Sequence, residues 1–186
     1  MNLHAEDGVA LRRGMPADAA VLARVHARSW RATYTGLLPD AVIDDVVASR
    51  PARIKRWRRW LADPNQRGGS LVAELDGRIV GFVFWGPSEG TDATPDVAEV
   101  YAIYLDPDAL GRGIGRSLFD TAVGDIVAHR FRGAVLWVLD TNERARRFYE
   151  AAGWRPDGAT KTEDRPGGKL LEVRYTRTFS ASTSAN

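Results

Sequence analysis

The chain has 186 residues, 44% hydrophobic and 27% charged, with 26 Lys+Arg against 24 Asp+Glu for a net charge of +2. That is enough chain to bury a sizeable core in one domain without metals or crosslinks. The absence of cysteine excludes a disulfide scaffold, a thiol nucleophile and thiolate metal sites, and His4, His26 and His129 lack metal-ligand spacing, so no metal is expected.

Val9–Arg13 alternates like a short strand. Met15-Pro16-Ala17-Asp18 then opens a helix carrying Val21, Leu22, Val25 and Trp30 on one face, which Gly36 and Pro39 end. Two further helices are expected over about Pro39–Val47 and Pro51–Ala62, the second with Ile54, Trp57 and Leu61 as its apolar stripe. The period then switches. Ser70–Leu75 and Arg78–Trp85 are β-rich and joined by Asp76-Gly77, a two-residue hairpin signal. After a polar loop over Pro87–Asp96, Val97–Leu105 is again strongly β.

A glycine-rich turn leads from Pro107 into a helix over about Ile114–His129. Ala134–Leu139 is wholly apolar, as in a buried, parallel-paired strand. Asn142–Ala152 is helical and Gly153 stops it at a C′ position. Trp154 starts an extended piece, Gly167-Gly168 turns the chain, and Leu170–Phe179 alternates as a last strand. The expected class is α+β: a mixed, mostly antiparallel sheet flanked by helices and containing a β-α-β unit. Residues 1–180 form one expected domain, with 181–186 a frayed tail. The longest apolar run, Ala134–Leu139, is too short to cross a bilayer, and the first ten residues lack the apolar core of a secretion signal. A cytoplasmic protein without a membrane partner is therefore expected.

The chemistry concentrates in Asp106–Ser117, DPDALGRGIGRS, between a strand and a helix. Gly111, Gly113 and Gly115 permit close backbone approach, and the helix that follows offers free N–H groups and a positive dipole end. The segment is either a tight strand–helix turn or a cradle for a phosphate. The lack of Lys-Ser/Thr after the last glycine argues against a Walker loop, and Arg116 argues against a dinucleotide fingerprint.

This segment resembles the acyl-CoA signature of the GNAT superfamily of N-acyltransferases, Gln/Arg-x-x-Gly-x-Gly/Ala after a strand. Gly113 and Gly115 match, Arg112 holds an often-basic position and Leu110 replaces the usual Gln/Arg. Asn142-Glu-Arg-Ala145-Arg-Arg-Phe148-Tyr149-Glu150-Ala-Ala-Gly153-Trp154 is similar to a second motif of that family, and Ala98–Leu105 to its fourth strand. His26–Pro39, with Ser29, Trp30, Tyr34 and Gly36, resembles a subgroup of its prokaryotic members.

The resemblance implies acetyl-CoA as cosubstrate and a primary amine, of a small molecule or a peptide, as acceptor. Backbone groups of Ile103, Tyr104 and Leu105 would pair with the pantetheine arm. Gly111, Arg112, Gly113, Ile114, Gly115 and Arg116 would hold the pyrophosphate. Asn142 would bond the arm besides capping its helix, and Tyr149 would protonate the leaving thiolate. Homodimers are common in the family.

Glu99 is a carboxylate in an apolar strand: either an exposed strand end, or a general base whose pKa burial has raised. By alternation only Tyr101, and not Tyr104, shares its face. Trp30, Tyr34, Trp85 and Tyr101 are placed either in an acceptor pocket or in the core. The basic tract Arg50–Arg59 is read as a solvated helix face rather than a nucleic-acid patch. Glu89, Asp92, Asp96 and Glu99 precede or enter the reactive strand with no Lys or Arg between Arg78 and Arg112, so a cationic acceptor with more than one amine is expected. The rival to an enzyme is a CoA-sensing or nucleic-acid-binding module on the same fold.

Overall fold

In the computed structural model, which describes residues 5–6, 8–90 and 93–179, Asp76 and Gly77 both take positive φ, 51° and 72°. That is the two-residue turn whose twist matches paired antiparallel strands, and it joins β3 (Gly69–Leu75) to β4 (Arg78–Pro87). The other strands are β1 (Ala5–Glu6), β2 (Val9–Arg13), β5 (Val97–Leu105), β6 (Gly133–Leu139), β7 (Arg155–Arg165) and β8 (Gly168–Thr178). Among the described residues they form one eight-stranded sheet in the order β1-β2-β3-β4-β5-β6-β8-β7. Only β5 and β6 run parallel, which demands the crossover that α4 (Ile114–Ala128) supplies. The class is α+β, as expected. The tail at 181–186, His4 and Asp92 lie outside the described residues.

Helices cover both faces of the sheet. On one face α1 (Ala19–Tyr34) and α3 (Arg50–Ala62) bury Leu22, Ala23, Val25 and Trp57 against Val72, Phe82 and Phe84. The end of α1 joins α2 (Asp40–Ala48) in a satellite cluster of Trp30, Tyr34, Val42, Ile43 and Val46 with Leu139 and Leu170. On the other face α4 and α5 (Glu143–Ala151) pack Leu118, Phe119, Ile126 and Tyr149 on Val83, Trp85, Val100, Leu136 and Trp154. Alternation explains the split: Phe82 and Phe84 point to α1 and α3, and Val83 and Trp85 point away from them. No helix of the described residues is long and apolar enough to cross a membrane.

Candidate active site

The parallel ladder is short. It pairs Val97 to Val100 of β5 with Gly133 to Leu136 of β6 and then stops, although β5 continues to Leu105 and β6 to Leu139. The two strands therefore part in the middle of the sheet. Across its other edge β5 stays paired with β4 through Ile103–Val83, Tyr104–Phe82 and Leu105–Gly81. Alternate strand residues turn their N–H and C=O to opposite edges, so part of the Tyr101–Leu105 backbone faces the gap.

The glycine turn lies at the end of β5. Gly111 and Gly113 have φ of 78° and 75°, a backbone region costly for residues with a Cβ, and Gly113 is the N-cap of α4. The N–H groups of Gly111, Arg112, Gly113, Ile114 and Gly115 meet no acceptor among the described residues. Together with the positive end of a four-turn helix, they suit a phosphate or pyrophosphate. Gly115 lies against Leu105, where an added Cβ would meet the leucine at 3.4 Å.

Arg116 behaves differently from the rest of the turn. Its N–H bonds the Gly113 carbonyl at 2.9 Å, and its guanidinium is held by Asp120 at 2.6 Å and the Ala151 carbonyl at 3.3 Å. Arg28, which no local motif marks in the sequence, clamps the turn to α1 through Asp106 at 2.8 Å and Asp108 at 2.9 Å.

Asn142 and Tyr149 sit across the gap on α5. Asn142 caps the helix by accepting from the Ala145 N–H at 3.1 Å, and its Nδ2 donates to the Tyr34 hydroxyl at 3.0 Å. Trp154 N–H to Tyr149 O and Gly153 N–H to Glu150 O close the helix at its other end, a paired C-cap that fixes Tyr149 in the last full turn. The Tyr149 ring is buried beside Phe119, Phe148 and Tyr175. Its hydroxyl has no hydrogen-bond partner among the described residues. Burial, with the nearby Tyr104 phenol, pushes its pKa up, so the hydroxyl keeps its proton at neutral pH.

Opposite this wall, a cavity of about 410 Å³ opens between the sheet and α1–α3, lined in part by His26, Trp30, Trp57, Tyr101, Tyr104 and Leu139. Strict alternation assigned Tyr104 to the face away from Glu99, and the structure corrects that. Val100 pairs with Trp85 and Ala102 with Phe84, leaving Tyr101 as an extra residue in β5. The bulge turns Tyr101, Ala102 and Tyr104 all toward the cavity. A Cβ on Gly86 would lie 2.7 Å from the Tyr101 Oη, so this glycine makes room for the ring, whose hydroxyl donates to the Pro87 carbonyl at 2.5 Å. Trp30 Nε1 donates to the Tyr104 Oη at 3.1 Å.

Trp85 does not line this cavity. It is fully buried on the opposite face against His129 and Phe131, because alternation along β4 sends it there. Tyr34 lies behind Trp30, with ring centroids 4.5 Å apart, and meets Asn142 rather than the cavity. The basic tract is mostly exposed, as expected of a solvated helix face, but half-buried Arg53 and exposed Arg56 also line the cavity. His26 is buried among Trp30, Trp57 and Tyr104, an environment that its spacing in the sequence does not reveal. Burial, then Arg53 and Arg56, lower its pKa to about 3 and keep it neutral.

Glu99 is half-buried at the rim, pairs in register with Gly86 and Val135, and accepts from the Glu89 N–H at 3.3 Å. Burial raises its pKa, against the Glu89 hydrogen bond and Lys161, which lower it.

A sequence profile of the acetyltransferase (GNAT) family matches residues 28–154. The chain is 28% identical over 163 residues to a probable N-acetyltransferase of Mycobacterium tuberculosis, covering 83% of this chain and 84% of that one. It is 30% identical over 146 residues to an uncharacterized N-acetyltransferase of Archaeoglobus fulgidus, covering 78% and 92%. Its fold is similar to that of the PaiA N-acetyltransferase of Thermoplasma acidophilum, solved in complex with coenzyme A. The TM-score is 0.71 at 20% identity, over 92% of this chain and 99% of that one. With the profile spanning well over half of the sequence, this chain belongs to the GNAT acetyltransferase family.

Proposed function

We propose that the protein transfers an acetyl group from acetyl-CoA directly to a primary amine, with both substrates bound at the β5–β6 gap. The observation that carries the reading is the run of unpaired N–H groups at Gly111–Gly115 at the end of the same strand whose edge is open beyond Val100. A diphosphate on those amides leaves a pantetheine arm in reach of the strand edge at Ile103–Leu105.

Glu99 takes a proton from the ammonium or attacking amine, directly or through a water, since only a neutral amine has a free electron pair. Its raised pKa brings it closer to the working range of a general base. The amine nitrogen bonds to the thioester carbon, and a strand N–H near Ile103 stabilises charge on the carbonyl oxygen. As the carbon–sulfur bond breaks, the Tyr149 hydroxyl gives its proton to the thiolate. No covalent enzyme intermediate is required.

Initial rates measured while both substrates are varied test this scheme. A ternary complex predicts intersecting reciprocal plots. Parallel plots, with an acetylated enzyme detected by mass spectrometry, would overturn direct transfer.

A further inference from the structure

Two cations lining the cavity have no ion-pair partner among the described residues. Its charged lining comprises Arg53, Arg56 and Arg165 with Glu89, Glu163 and Glu172. Arg165 is paired with Glu163 at 2.7 Å and Asp45 at 3.3 Å, and Glu172 with Lys161 at 3.2 Å. Arg53 donates only to neutral oxygens, the Val46 carbonyl and the Ser49 hydroxyl, each at 3.0 Å. Arg56 has no hydrogen-bond or ion-pair partner among the described residues.

The two arginines are three residues apart on α3 and share a face. Gathering like charges around a partly apolar cavity is costly unless an anion joins them, and the guanidinium fork matches a carboxylate in shape. His26, an imidazole that burial keeps neutral, adds no third positive charge and supplies no anion. Among the described residues Glu89 is the one lining carboxylate left unpaired, and its backbone N–H donates to the Glu99 carboxylate at 3.3 Å. Trp57 and Phe84 form an apolar wall in the same cavity.

We propose that the acceptor is an amine bearing a carboxylate, which Arg53 and Arg56 bind while its amine lies toward Glu89 and Glu99 and its apolar body rests on Trp57 and Phe84. The inference rests on the acetyl-transfer reading and gives its substrate class. It displaces the expectation of a diamine drawn from the acidic loop, since a second ammonium would meet two unpaired arginines. The acidic loop instead serves the ammonium that every such acceptor carries.

Calorimetric binding to the CoA-saturated protein tests the class independently of turnover. The probes are phenylalanine and leucine, each against its amide, with putrescine as the diamine. The acids should bind about tenfold or more tighter than the amides, the worth of one charged hydrogen-bonded contact. Arg53→Gln with Arg56→Gln should erase that preference while CoA affinity is retained. If the double variant fails to fold, Arg56→Gln alone, at an exposed position, should reduce the preference several-fold. Equal binding of acid and amide, a preference that survives these substitutions, or no binding of either acid at millimolar concentration would overturn the proposal. Acid-selective binding without thiol release from acetyl-CoA would overturn the acetyl-transfer reading alone, and thiol release without acid selectivity would overturn this inference alone.

Discussion

The Asn142 side-chain amide donates to the Tyr34 hydroxyl at 3.0 Å and so ties the start of α5 to the end of α1. The same side chain caps α5 at the Ala145 N–H. One residue thus registers α5 against α1, the helix whose Trp30 lines the cavity.

Replacing Asn142 with Ala removes the cap, worth about 1 kcal/mol, and strands the buried Tyr34 hydroxyl, at a cost of about 1–3 kcal/mol. Asn142→Ala should lose about 2–4 kcal/mol in urea unfolding, and Asn142→Asp, which keeps the cap, should lose less. A double-mutant cycle with Tyr34→Phe should show coupling, because the two residues share one hydrogen bond.

Gly113 has φ 75°, so any side chain there strains the backbone by about 1–2 kcal/mol. An added Cβ meets nothing within 4 Å, so the fold survives. Gly113→Ala should lower Tm modestly. Gly113→Glu should in addition abolish CoA binding by calorimetry, since it brings a negative charge to the unpaired amides.

Tyr149→Phe removes a hydroxyl without a partner among the described residues and keeps a ring packed on Phe119. Stability should change little. Turnover should fall by about 10²–10⁴, the usual worth of a general acid, with a smaller change in the KM for acetyl-CoA. Steady-state kinetics beside an unfolding curve separates the two effects, and an unchanged kcat would make Tyr149 a core aromatic only.

Burial raises the Glu99 pKa above its ordinary value in the folded chain. The carboxylate is the active form, so kcat/KM should rise with pH through that raised pKa, and Glu99→Gln should lose this limb of the profile. The linkage to stability has the opposite sense. The folded state binds the extra proton, so the parent loses stability as pH rises from the unfolded-chain value through the raised one. The Tm of Glu99→Gln relative to the parent should therefore be more favourable at pH 8 than at pH 4, by scanning calorimetry.

Much of this site was legible in sequence because its signals are local. Asn142 and Gly153 bracket α5 with their own cap chemistry, and Asp76-Gly77 specifies its turn without help from elsewhere. The apolar β6 run marks a buried, parallel-paired strand, but where its ladder with β5 stops has no local sign. Non-local facts escaped. The bulge at Tyr101 depends on the missing Cβ of Gly86 on the neighbouring strand, so period-two reading sent Tyr104 to the wrong face. Helical periodicity found the apolar stripe of α3 but not what stands opposite Arg53 and Arg56. The β7 strand is almost wholly exposed and polar, and nothing beyond an extended piece after Trp154 could be read for it.

Release of free CoA from acetyl-CoA, followed by a thiol reagent while the N-acetyl product is weighed by mass spectrometry, tests the central claim most directly. Across a panel of primary amines, the parent should give amine-dependent thiol and acetylated amine in equal amounts, and Gly113→Glu should give neither. Tight binding of acetyl-CoA with no amine-dependent thiol from any member of a broad panel would contradict the account and leave a CoA-binding module in its place.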